Sequence, residues 1–155
     1  MGAAPGGADM PEAVIGRLSM ITLGVGDLDR ATAFYRVVFG REPNPDYQGV
    51  AFFELPGTWL ALYPRDKLAE DMGLTAAPAG FGGVTLAYNG RDRAEVEAVY
   101  ARAEMAGSTP IKRPRETFWG GFSGYFADPD GHCWEIAWGP MFELGPDGGL
   151  RFRKA

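Results

Sequence analysis

Late in the chain, Asp128-Pro129-Asp130-Gly131-His132-Cys133-Trp134-Glu135 brings together two aspartates, the single histidine, the single cysteine and a glutamate. A carboxylate can serve as a general base or contact a cation or donor, and a thiol can serve as a nucleophile. Residue types and spacing narrow these options. One His and one Cys cannot build a zinc site of several His and Cys ligands within one chain, and one Cys makes no internal disulfide. A Ser-His-Asp triad would have to use His132, and no Gly-x-Ser-x-Gly pattern partners it. No Gly-x-x-x-x-Gly-Lys loop is present to cradle a phosphate. His132 and Glu135 are three apart in a strand pattern and point to opposite faces, so they are badly placed to share a metal. Cys133 lies beside a carboxylate, which weakens it as a nucleophile. Glu135 therefore stands alone, with three readings open: a structural carboxylate, a contact to a ligand's cation or donor, or a general base.

Strand alternation sorts the neighbours of Glu135. One face is predicted to point at helices and carries Ile21, Leu23, Val25, Leu60, Leu62, Val84, Leu86, Tyr88, Trp134, Ile136 and Trp138. The opposite face carries Met20, Thr22, Gly24, Trp59, Ala61, Tyr63, Gly83, Thr85, Ala87, Cys133, Glu135 and Ala137. Small residues leave volume there, and aromatic residues offer flat apolar contact. Phe118 and Trp119, followed by Gly120-Gly121, are predicted to form a rim or lid. Met20, Thr22, Trp59, Tyr63, Gly83, Thr85, Phe118, Trp119 and Cys133 are thus the candidate ligand-lining residues around Glu135, the candidate catalytic residue.

These positions come from a duplicated pattern. Ile21-Thr22-Leu23-Gly24-Val25 matches Val84-Thr85-Leu86-Ala87-Tyr88 at an offset of 63. Each leads through a polar turn into an amphipathic helix. The first has Asp27 as its N-cap and Gly40 as its stop, and the second ends at Gly107. Two hairpins follow, one around Pro56-Gly57 and one around Asp128-Pro129-Asp130-Gly131. Each half is predicted to be βαβββ. Residues 1–15 read as a flexible tail. Residues 16–144 read as one domain, with module one at 17–63, a linker at 64–80 holding a short helix after Pro64, and module two at 81–140. Residues 145–155 read as a C-terminal extension.

The segments Ser19–Gly40 and Gly124–Trp138, with Asp-Pro-Asp-Gly-x-x-x-Glu inside the second, resemble the vicinal oxygen chelate superfamily. That superfamily includes glyoxalase I, bleomycin-resistance proteins and extradiol dioxygenases. The resemblance implies an α+β fold in which paired βαβββ modules curl a mixed sheet around a cavity, with helices on the convex side. It also implies a homodimer. Metal-dependent members draw ligands from the first and last strands of each module, which map here onto Met20, Ala61, Gly83 and Glu135. Only the last offers a donor suited to a hard or borderline divalent ion, so no metal and no other cofactor is expected.

Composition agrees with a small-molecule role. The chain of 155 residues carries a net charge of -5, which argues against a nucleic-acid partner. No apolar run is long enough to span a membrane. No secretory pattern opens the sequence, so a cytoplasmic location is expected. The reading that follows is a metal-free binding protein holding an aromatic or cationic ligand in an apolar cavity. The alternative is a lyase or isomerase of the glyoxalase type using Glu135 as base or metal ligand.

Overall fold

Both long helices start and stop where the sequence supplies caps. In the computed structural model, which describes residues 18–75, 81–82 and 84–154, α1 (Leu28–Phe39) begins after Asp27, whose side chain accepts from Arg30 N at 3.0 Å. Helix α3 (Arg93–Ala106) begins after Asp92, which accepts from Glu95 N at 2.8 Å. Gly40 and Gly107 end them in the left-handed region, at φ 64° and 105°, where a glycine carries no Cβ penalty. A short helix, α2 (Arg65–Asp71), follows Pro64 as the sequence suggested.

Module one places β1 (Met20–Val25), β2 (Ala51–Phe53) and β3 (Trp59–Pro64) in the order β1-β3-β2. Module two places β4 (Thr85–Asn89), β5 (Thr109–Glu116), β6 (Phe122–Ala127) and β7 (Cys133–Trp138) in the order β4-β7-β6-β5. In each sheet the first and last strands of the module run parallel side by side. Module two is a full βαβββ unit. Module one has three strands rather than the four its pattern suggested. The stretch that would supply the missing strand holds Pro43 and Pro45, neither of which can donate to a ladder. Only Asn44 between them bonds the sheet, through its N–H to Phe52 O at 2.9 Å. β5 also contains prolines, but it is an edge strand that absorbs them through two register shifts.

A single apolar core joins the modules. It takes Leu23, Leu60 and Leu62 from the first sheet, Phe126, Trp134 and Ile136 from the second, and Phe34, Tyr35, Val96 and Tyr100 from the two helices. Phe34 and Tyr35 of α1 reach module two directly, facing Phe126 and Trp134. The helices therefore lie between the sheets, and the opposite face of each sheet looks outward. Three residues depart from the exposure their alternation predicts. Val84 precedes β4 and is exposed, and Tyr88 is part-exposed with its hydroxyl bonded to Glu95 of α3. Ala61, expected on the open face, is 1% exposed because its methyl lies between the larger neighbours Thr22 and Phe52.

The segment after β7 is more ordered than its Gly-rich sequence suggested. β8 (Phe142–Leu144) and β9 (Leu150–Phe152) form an antiparallel hairpin, so a boundary at 144 would cut it. No helix among the described residues is long and apolar enough to cross a membrane.

Candidate functional site

The outward face of the second sheet carries the polar cluster. Register places Tyr125 of β6 and Ala87 of β4 on either side of Glu135. The Tyr125 hydroxyl donates to Glu135 Oε2 at 3.1 Å. Burial, together with the Glu135 charge and this hydrogen bond, pushes the Tyr125 phenol up, so it stays a donor at neutral pH. Only one carboxylate oxygen is engaged in this way, which leaves the other for a ligand.

Two hollows open beside Glu135. The first, about 450 Å³, is lined by Lys112, Arg115, Phe118, Trp119, Ser123 and Tyr125 among others. The second, about 380 Å³, is lined by Asn89, Trp119, Ala137, Met141 and Phe142. Glu135 and Trp119 belong to both. Lys112 and Arg115 have no carboxylate partner among the described residues. Their neighbour Arg113 pairs with Glu104 of α3 at 3.0 Å, and Glu116 pairs with Arg93 at 3.0 Å. The first hollow thus faces any ligand with two uncommitted cations and two carboxylates, Glu135 and the Arg93-paired Glu116.

The residues selected from sequence do not all meet. Glu135, Phe118 and Trp119 share the first hollow, and Phe118 is fully exposed at its rim. Thr85 lies on the same sheet face, paired with Cys133. Thr22 and Cys133 come together in a separate hollow of about 320 Å³ where the two modules adjoin, with Gly24, Arg65 and His132. Met20 and Trp59 stand side by side on the outward face of the first sheet, each 38% exposed, and Tyr63 follows on the same strand opposite Gly24. Gly83 lies outside the described residues. His132 donates from Nε2 to Gly24 O of β1 at 2.8 Å.

The sequence reading passed over Tyr125, Ser123, Lys112, Met141 and Phe142. A signal for Tyr125 existed. A hairpin closed at Ala127 and Cys133 necessarily sets residue 125 opposite residue 135. No comparable signal marked Met141 and Phe142, whose position depends on a hairpin paired only with itself.

Residues 17–136 match the family model of the Glyoxalase/Bleomycin resistance protein/Dioxygenase superfamily. The chain belongs to that superfamily. Within it, the chain is 29% identical over 131 residues to the metallothiol transferase FosB of Shouchella clausii, covering 84% of this chain and 85% of that protein. The crystal structure of a glyoxalase-related enzyme from Fulvimarina pelagi superposes with a TM-score of 0.81 at 36% identity, covering 90% of this chain and 99% of that one. A superfamily member from Nocardioides superposes at 0.69 with 26% identity, covering 86% of this chain and 92% of that one. The fold of this superfamily member is thus shared with solved relatives over nearly its whole length.

The FosB name implies a metal, and the residues here do not fit one. Of the four mapped positions, Met20 offers a thioether, Ala61 a buried methyl and Gly83 no side chain. Among the described residues no three His, Cys, Asp or Glu side chains converge. Glu135 alone supplies a hard donor, and its carboxylate is already bonded to Tyr125.

Proposed function

We propose that the protein binds a small organic molecule on the outward face of the second sheet, held at Glu135 without a metal bound by the chain. The observation that carries this reading is the pairing of a hydrogen-bonded Glu135 with two uncommitted cations in one hollow. Lys112 and Arg115 shift the expected ligand from a simple cation to one that also bears an acidic group. A planar apolar body would lie against Trp119, a donor would meet Glu135, and the acid would meet Lys112 and Arg115. A lyase or isomerase is the second reading. It is favoured by the Tyr125 contact, which fixes one carboxylate oxygen and leaves the other to take a proton from substrate.

We further propose that two copies associate as a homodimer in the cytoplasm. The exposed Met20 and Trp59 face of one copy would cover an outward face of the other.

The test is a thermal-shift and calorimetric panel of aryl carboxylates and sulfonates, with and without an amino group, on wild type, Glu135→Gln and Lys112→Gln/Arg115→Gln. Glu135→Gln should weaken amino-bearing members by about 1 to 3 kcal/mol, in line with hydrogen bonds to charged groups, and change the others little. The double variant should weaken every acidic member. Equal affinities in all three proteins would place the ligand elsewhere and overturn the reading.

A further inference from the structure

The two hollows beside Glu135 differ in chemistry. The first presents Lys112, Arg115, Ser123 and Tyr125. The second presents Met141, Phe142 and Ala137, with Asn89 as its one polar side chain besides Glu135. Trp119 stands on the boundary, and the backbone is shaped to receive it. A Cβ on Gly121 would come within 1.9 Å of the indole Cζ3. A Cβ on Gly139 would come within 2.7 Å of that same atom and 2.7 Å of Met141 Sδ. The ring therefore lies directly on the chain where β6 begins and where β7 ends. Its loop is closed by Gly121 N donating to Thr117 Oγ1 at 2.9 Å and Thr117 N donating to Gly121 O at 3.0 Å.

The far wall of the second hollow comes from the C-terminal hairpin. Arg153 fixes it from the end of β9. The Arg153 N–H donates to Met141 O at 2.7 Å, and its guanidinium donates to Pro140 O at 3.2 Å. Phe142 also packs on Phe152, with ring centroids 5.3 Å apart. Met141 and Phe142 lie beyond residue 136, where the superfamily match ends. This wall is therefore separate from the matched segment, yet it reaches the carboxylate at the centre of the face.

We infer that Trp119 and the C-terminal hairpin form an apolar annex that takes the hydrocarbon tail of an amphipathic anion, whose head lies against Lys112 and Arg115. Met141, Phe142 and Trp119 are then specificity-determining residues, setting the length and shape of tail accepted. Methionine suits this role because its unbranched side chain adapts to irregular surfaces. The inference rests on the Glu135 face being the ligand site, and it adds the class of ligand.

The test uses the full chain and a series of n-alkyl sulfonates from butane to decane, each below its micelle concentration. Calorimetry gives affinity, and emission of the wild type minus that of Trp119→Phe isolates the Trp119 signal. In wild type each added methylene should tighten binding two- to fourfold until the annex is full, the upper figure being about 0.8 kcal/mol per buried methylene. Only the longer members should shift Trp119 emission. Met141→Ala/Phe142→Ala should flatten the chain-length dependence while leaving butanesulfonate affinity within about twofold. Phe142→Leu, a milder change, should reduce it partly. Lys112→Gln/Arg115→Gln should weaken all members by a common factor and keep the slope. An unchanged slope in both Phe142 variants overturns the annex while the site stands. Absence of sulfonate binding in wild type, or head-group affinity indifferent to Lys112 and Arg115, overturns the site itself.

Discussion

Tyr35 of α1 joins module one to two side chains of module two. It is fully buried, donates to Asp128 Oδ2 at 2.6 Å and accepts from Trp134 Nε1 at 3.0 Å. Burial, and then the Asp128 charge, push its phenol well above the ordinary tyrosine value of 10.0. Below that value tyrosine is neutral in both states. Above it the unfolded chain ionises while the folded chain keeps its proton, so stability falls as pH rises. Tyr88, pushed up to about 12 by burial and Glu95, acts in the same direction. Tyr35→Phe should lose about 1 to 3 kcal/mol near neutral pH, because Asp128 and Trp134 each lose a buried partner. Its stability should then decline less steeply than wild type above pH 10. Urea unfolding between pH 7 and 11 measures both effects, and parallel declines would show that Tyr35 is not the group responsible.

Among the elements, the turn between β6 and β7 does more than reverse the chain. Asp130 Oδ1 accepts from Gly26 N at 2.7 Å and from Arg30 Nη2 at 3.0 Å, so module two's last hairpin holds the start of module one's helix. Its side chain is 8% exposed, which makes this contact stronger than a surface pair. Asp130→Ala should cost about 1.5 to 3 kcal/mol, the range for hydrogen bonds to a charged group. Amide exchange should accelerate at residues 26–30 and remain unchanged in the middle of α3. Uniform acceleration would argue against a local clasp. Much of the element order was legible in the sequence, because period-two strands, Asp caps and Gly stops are local signals. The Asp-Pro-Asp-Gly turn was legible too, but its partner at Gly26 is a hundred residues away and leaves no local mark. The missing strand of module one was hidden because its prolines also occur in β5, where an edge position tolerates them. The hairpin Phe142–Leu144/Leu150–Phe152 does carry a turn signal in Asp147-Gly148. Its strands are too short for alternation to stand out.

For the whole molecule, the expected cavity is divided. Glu135 and Trp119 lie on the outward face of the second sheet, while Met20, Thr22 and Trp59 lie on that of the first, and one chain does not bring them together. With its helices between the sheets, a single chain keeps Met20 and Trp59 away from Glu135 and joins the two faces only where Thr22 meets Cys133. The proposed association of two copies would resolve this. An isologous contact could lay the Met20–Trp59 face of each copy over the Glu135 face of the other, forming two equivalent cavities. The first sheet offers the apolar surface for it: Trp59 is 38% exposed, and Tyr47 at 57% packs edge-on against Phe52 beside it. Light scattering should therefore give a dimer mass at micromolar concentration. Trp59→Glu should shift the equilibrium toward monomer, because it buries a charge against an apolar partner face, while far-UV circular dichroism stays unchanged. If the partner's sheet closes the cavity, the same variant should also weaken ligand binding in proportion to the monomer fraction. A monomeric wild type would remove the dimer, and a monomeric Trp59→Glu with full ligand affinity would show that one chain's Glu135 face suffices.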